Sequence, residues 1–161
     1  MLTDDPGTPG AGMWEVALLS TMDRNRKGWA FQLPVIDLNY GLRSHVQLKF
    51  EVPWLVMKEG VETAKAGPGN SMVGVKWRFL DEERSGFAMS IYPQLEFNND
   101  THSMAPGLAD KGTRLFLPIE AGKKIGTVEV TSELGYRIIQ HEPDELEYGL
   151  LFTRRVTRRS S

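Results

Sequence analysis

Three histidines, His45, His102 and His141, are the first residues to weigh for chemistry, because imidazole is the commonest metal ligand and a frequent general base. Their spacing suits neither role: no HxxH or HExxH pair sets two rings on one face. Ser44–His45 and His102–Ser103 place a hydroxyl next to a ring, but neither has the Gly-x-Ser-x-Gly elbow of a serine hydrolase. Surface or interior polar residues are therefore expected at all of these positions. Asp4 and Asp5 sit among glycines and prolines and supply two carboxylates, where calcium takes about six to eight oxygens. A flexible arm is the expectation there, with calcium binding or the capping of a mouth as lesser readings. The chain has no cysteine, which removes disulfides, thiolate metal sites and thiol nucleophiles. No cofactor motif is present, so the expectation is a protein without metal, cofactor or catalytic residues.

What remains is an ionic pattern. Asp37, Lys49, Glu51, Lys76, Arg78, Glu96, Arg114, Glu120, Glu129, Glu133 and Arg137 alternate with apolar neighbours. Both signs occur along the same faces. Such a set could form the charged rings that give a pore its ion selectivity, or could only neutralise itself across a narrow wet space. A solvated outer surface would carry the same pattern, since charge on the polar face of a strand is normal. Choosing among these needs the elements that hold the residues.

The stretch Leu33 to Trp54, LPVIDLNYGLRSHVQLKFEVPW, reads as two strands of period two joined at Arg43–Ser44. Further strands are expected over Met13–Met22, Ser71–Leu80, Phe87–Phe97, Thr113–Ala121, Thr127–Ile139 and near Glu147–Val156, about eight in all. The apolar phase slips near Pro34, predicting a bulge or edge irregularity there. Residues 1–12 hold two prolines and three glycines and are expected as an irregular arm. Connections after the second, fourth and sixth strands are short, whereas Lys58–Asn70 and Asn98–Gly112 read as long polar loops. No stretch has sustained helical periodicity. The fold expected is all-β, an antiparallel up-and-down meander forming a barrel or part of one over residues 13–161.

Composition narrows the partners. A chain of 161 residues with 40% hydrophobic and 25% charged residues is ordinary for one ordered domain. A net charge of -2, with the basic residues dispersed, makes nucleic acid an unexpected partner. Apolar runs fall far short of the roughly 20 residues of a transmembrane helix, but barrel strands need only about 9 to 11 alternating residues. Alternation cannot say which face is wet, because a soluble calyx turns its apolar face inward and a membrane barrel turns it outward. Aromatic residues near strand ends, Trp14, Trp29, Tyr40, Trp54, Phe79, Phe87, Phe97 and Tyr148, suit the two girdles of a membrane barrel. The rival is a lipocalin-like calyx for a small hydrophobic ligand: the length, the strand number and Gly12-Met13-Trp14 agree with it, but no C-terminal helical pattern does.

Several stretches carry a resemblance. TDDPGTPGAGMWEV at Thr3–Val16, VQLKFEVPW at Val46–Trp54, VGVKWRFLDE at Val73–Glu82, SIYPQLEF at Ser90–Phe97 and LFLPIEAGKKIG at Leu115–Gly126 together resemble a bacterial outer-membrane β-barrel family. That family is named for the MetA pathway of phenol degradation and is also called a transporter family. The resemblance implies a non-catalytic barrel in the outer membrane of a Gram-negative bacterium. It would contact lipid outside and pass or bind small molecules inside, with aromatic or apolar compounds as candidates. It also implies a signal peptide just before Thr3 and further strands after Ser161, so the chain is expected to be trimmed or mis-called at its start and truncated at its end. In this reading Ile36, Leu38, Tyr40, Leu42, Val46, Leu48, Phe50 and Val52 face lipid, and Asp37, Asn39, Gln47, Lys49 and Glu51 face the lumen.

Overall fold

β-Branched and aromatic residues at every second position favour an extended chain, since each then packs on one side of a pleated surface. In the computed structural model, which describes residues 6–24, 28–59, 63–98, 107–109 and 111–154, these segments form ten strands. They are β1 (Trp14–Arg24), β2 (Gly28–Arg43), β3 (Val46–Glu59), β4 (Lys65–Pro68), β5 (Asn70–Leu80), β6 (Ala88–Ile91), β7 (Gln94–Asn98), β8 (Arg114–Ile125), β9 (Val128–Ile139) and β10 (Glu145–Arg154). One helical turn, α1 (Glu82–Ser85), lies between β5 and β6 and ends at Gly86 with φ 77°, where only glycine is unstrained.

The pairings are antiparallel and run β1-β2-β3-β5-β6-β8-β9-β10, with β4 beside β3 and β7 between β5 and β8. β4 and β5 are two parts of one long strand interrupted at Gly69. β6 and β7 are parts of another, interrupted at Tyr92–Pro93, where proline has no N–H for the ladder. The path is the expected meander of eight long segments. No pairing joins β1 to β10 among the described residues.

The bulge predicted at Pro34 is present. Gln32 pairs with Thr21 and Leu55, and Val35 with Leu19 and Pro53, so β2 takes one more residue than either neighbour over the same interval. The extra residue shifts the phase of β2. As a result Trp29 and Phe31 point to the same side of the sheet as Ile36 and Leu38.

That side is the exposed one. Leu48, Phe50, Val75, Trp77, Ile119 and Leu134 are all exposed, whereas the buried polar residues include Asp37, Asn39, Gln47, Lys76, Ser90, Glu120, Thr131 and Glu133. Prolines and glycines aside, the buried apolar residues among those described are only Val35, Tyr92, Leu108, Ala109, Phe116 and Ile139. The sheet rolls with its polar face inward, the reverse of a calyx with an apolar pocket.

Three local expectations are corrected. The loop expected over Lys58–Asn70 is shorter, because the chain is back in strand at Lys65 and pairs Lys65–Pro68 with Trp54–Met57. The turn expected at DEERSG contains a helical turn, which makes the 81–87 connection longer than the 60–64 one. Of the connections at the opposite end, only 99–113 is long, so the contrast between the two ends is weaker than the sequence suggests. From Pro6 onward the arm is irregular and is held against the sheet: Pro6 is buried, and Gly12 N–H donates to Gly41 O at 2.7 Å while Gly41 N–H donates to Met13 O at 2.9 Å. Asp4 and Asp5 lie outside the described residues.

Candidate functional site

Rolling the sheet creates one cavity of about 790 Å³, reached by side chains of every long segment from Glu15 on β1 to Glu147 on β10. Its walls are ionic because period two sends alternate residues inward, and on β2, β3, β5, β7, β8 and β9 those residues are the charged ones named from sequence. They do not form open rings. Most are locked into groups whose geometry follows from strand register.

The first group lies across β5, β6 and β8. Ser90 pairs with Arg78 on one side and Glu120 on the other, so Lys76, two residues before Arg78, reaches Glu120 diagonally across β6. Lys76 Nζ lies 3.1 Å from Glu120 Oε2 with both side chains almost fully buried. The Ser90 hydroxyl donates to the same oxygen at 2.6 Å, and the ammonium stands 4.5 Å from the Tyr92 ring centroid. Such pairing is required, since a buried charge without partners is strongly destabilising.

On β2 and β3, Asp37 and Glu51 are direct cross-strand partners, a repulsive placement for two carboxylates. Lys49 relieves it, with its Nζ 3.0 Å from Asp37 Oδ2 and 3.6 Å from Glu51 Oε2. Asn39 Nδ2 donates to Asp37 Oδ1 at 3.0 Å and Gln47 Nε2 to Asn39 Oδ1 at 2.6 Å, extending the chain of bonds toward the Ser44–His45 turn. Across β7 and β8, Arg114 Nη1 and Asn70 Nδ2 both donate to Glu96 Oε1, at 3.0 and 2.7 Å. Between β9 and β10, Arg137 Nε pairs with Glu147 Oε1 while its guanidinium lies 4.4 Å from the Phe116 ring centroid.

Two aromatic rings fill inward space that ions alone would leave wet. Tyr92 lies against Gly74, where an added Cβ would fall 2.9 Å from Tyr92 Cε2, and Phe116 covers Gly135 still more closely. Each glycine on one strand is thus roofed by a ring from the next, a recognised way to stabilise glycine in a sheet. Each ring also lies beside a cation. These rings were not legible as interior residues, because an aromatic on a polar face takes its meaning from a glycine located only by register. Glu15 and Glu147 were also missed; both alternate with outward aromatics, Trp14 and Tyr148, which is the signal that could have found them.

Arg78 and His45 sit nearer the short-turn end. Arg78 Nε is 2.9 Å from Asp81 Oδ1, and its Nη2 donates to Ser44 O at 3.0 Å. His45 bridges the same groups, Nε2 lying 3.4 Å from Asp81 and Nδ1 3.4 Å from Arg78. Both ring nitrogens are thereby engaged with groups other than Ser44. Glu129 is half-buried opposite Lys124, and Glu133 is buried against the cavity. His141 is exposed in the β9–β10 connection, and His102 and Ser103 lie outside the described residues. No cluster of three potential metal ligands occurs among the described residues. At the other end Leu108 and Ala109, both buried, cover a smaller recess of about 250 Å³ with Glu96 and Arg114 in its wall.

Comparison with models of protein families, with curated proteins and with solved structures gives no match. The family resemblance therefore rests on the stretches quoted above.

Proposed function

We propose that the chain is a membrane-embedded β-barrel, or part of one, of the bacterial outer-membrane type, and that it passes or binds small molecules through its interior without chemistry. The observation that carries this reading is the inverted sheet: an apolar outer face around an ion-paired inner one. In water such an arrangement leaves the larger apolar face exposed, contrary to the hydrophobic effect; in a bilayer it is the favourable one. On β3 the outward apolar positions run from Val46 to Val56, about 33 Å along a strand at roughly 3.3 Å per residue. Tilted by about 40°, that length spans about 25 Å, the height of a typical barrel's apolar band.

Outward aromatics at the two ends support the same placement. Trp14 packs at a tilt against Tyr40 with ring centroids 4.7 Å apart, and Trp77 lies near Phe79, toward the short-turn end. Trp29, packed edge-on to Phe31, and Trp54 lie toward the other. The family resemblance adds the outer membrane as the location. The ionic lining favours hydrated or charged solutes over purely apolar ones.

Solubility and tryptophan quenching test the reading. The refolded chain should need detergent or lipid to remain monodisperse, and lipids brominated on their acyl chains should quench Trp14, Trp54 and Trp77 strongly. A monodisperse, β-rich chain in plain buffer, with those tryptophans untouched by the brominated lipid, would overturn it.

A further inference from the structure

The cavity has a segment of backbone across one of its ends. Gly7, Thr8 and Pro9 line it together with the strand residues, and the segment touches two walls that are not neighbours. On one side the carbonyls of Pro9 and Gly10 lie directly over Gly41 of β2, so closely that a Cβ there would overlap them. On the other, Pro6 lies over Gly122 of β8, where a Cβ would fall 2.9 Å from Pro6 Cγ. β3, β5 and β6 stand between those two strands in the sheet, so residues 6–10 cross the interior. Both glycines are buried, in phase with Asn39 and Glu120 on their own strands. They occur where the neighbouring inward positions carry large side chains, and their missing side chains form the seat.

The attachment combines hydrogen bonds to the sheet with packing against it. Residues 12 and 13 exchange hydrogen bonds with Gly41, and Met13 N–H donates to Gly10 O at 2.9 Å. Beyond them the Thr8 hydroxyl donates to Ser44 O at 2.9 Å, and Pro6 has packing against Gly122. Proline at 6 and 9 fixes φ and removes two donors that would otherwise need partners inside the lumen. Residues 6–11 lie outside every strand of the sheet, and such segments open locally at lower free energy than the strand ladder itself.

Resting on the membrane reading above, we propose that residues 6–11 form an internal plug that closes the short-turn mouth of the lumen, and that solute passage requires the plug to leave its seat on Gly41 and Gly122.

The test uses the full chain in phosphatidylethanolamine/phosphatidylcholine vesicles, with insertion verified by protease protection and L-arabinose permeation followed by swelling. Gly41→Leu with Gly122→Leu fills the seat, and deletion of residues 1–11 removes the plug while keeping the Gly12–Met13 hydrogen bonds. Each should raise the permeation rate at least five-fold over the parent. In a Thr8→Cys, Ser44→Cys variant, a short thiol cross-linker has only these two targets, since the chain has no cysteine. Cross-linking should lower permeation to that of protein-free vesicles. Inserted variants that permeate at the parent rate, or a cross-linked chain that still permeates, overturn the plug while leaving the membrane reading intact. Failure to insert overturns the membrane reading, and the plug with it.

Discussion

At the residue scale the most consequential group is Lys76 with Glu120. Both lie almost wholly out of water, 3.1 Å apart, and their attraction is offset by the cost of desolvating two ions. Such a pair contributes little net stability while intact and much instability when halved. Lys76→Met should therefore destabilise the fold by about 3–5 kcal/mol, whereas Lys76→Met with Glu120→Leu should recover most of that loss. Denaturant unfolding of the chain in detergent micelles reads both values. The same single replacement in a pair exposed to bulk water would change stability by about 1 kcal/mol or less, so the size of the loss on Lys76→Met measures how dry this part of the interior is.

At the element scale, the strands were readable because contrast between neighbours is local: Val46, Leu48, Phe50 and Val52 against Gln47, Lys49 and Glu51 admits one periodicity. The Pro34 slip was readable for the same reason. The breaks at Gly69 and Tyr92–Pro93 were less so, since each is defined by which partner strand continues past it. Ile119, on β8 and 47% exposed, pairs with Ile91 and Leu134 near the middle of the outer face. Ile119→Arg should cost about 2–4 kcal/mol in a bilayer, as expected at its midplane. In water an exposed substitution of this kind stays within about 0.5 kcal/mol. Reversible unfolding from vesicles separates the two. β1 and β10 add a further requirement: among the described residues the outward backbone edge of each is unpaired, and hydrocarbon does not tolerate unpaired N–H and C=O groups. In a membrane these edges pair with one another or with additional strands.

At the scale of the whole molecule, the interior carries more acid than base. Glu15, Asp37, Glu51, Glu96, Glu133 and Glu147 line the cavity beside Lys49, Lys76 and Arg137. A lumen walled by low-dielectric material concentrates that field, so a conducting form should prefer cations. The expected outcome is a reversal potential of cation-selective sign across a potassium chloride gradient in planar bilayers. Glu133→Gln, which removes one carboxylate from the lining, should move that potential toward zero.

The sequence by itself determined the strands, their antiparallel meander, the bulge at Pro34 and the two sets of residues that share a face, because each follows from neighbours along the chain. It also identified most of the ionic lining, from Asp37 to Arg137, since inward positions are alternate positions. Which set turns inward depended on the tertiary structure, because exchanging inside and outside leaves the alternation unchanged. The pairing within the lining depended on it too: Lys76 meets Glu120 and Tyr92 covers Gly74 only once register sets the strands side by side. Tertiary structure likewise seated the arm at Pro6–Met13, a segment without periodicity whose place is defined by two glycines far away in sequence.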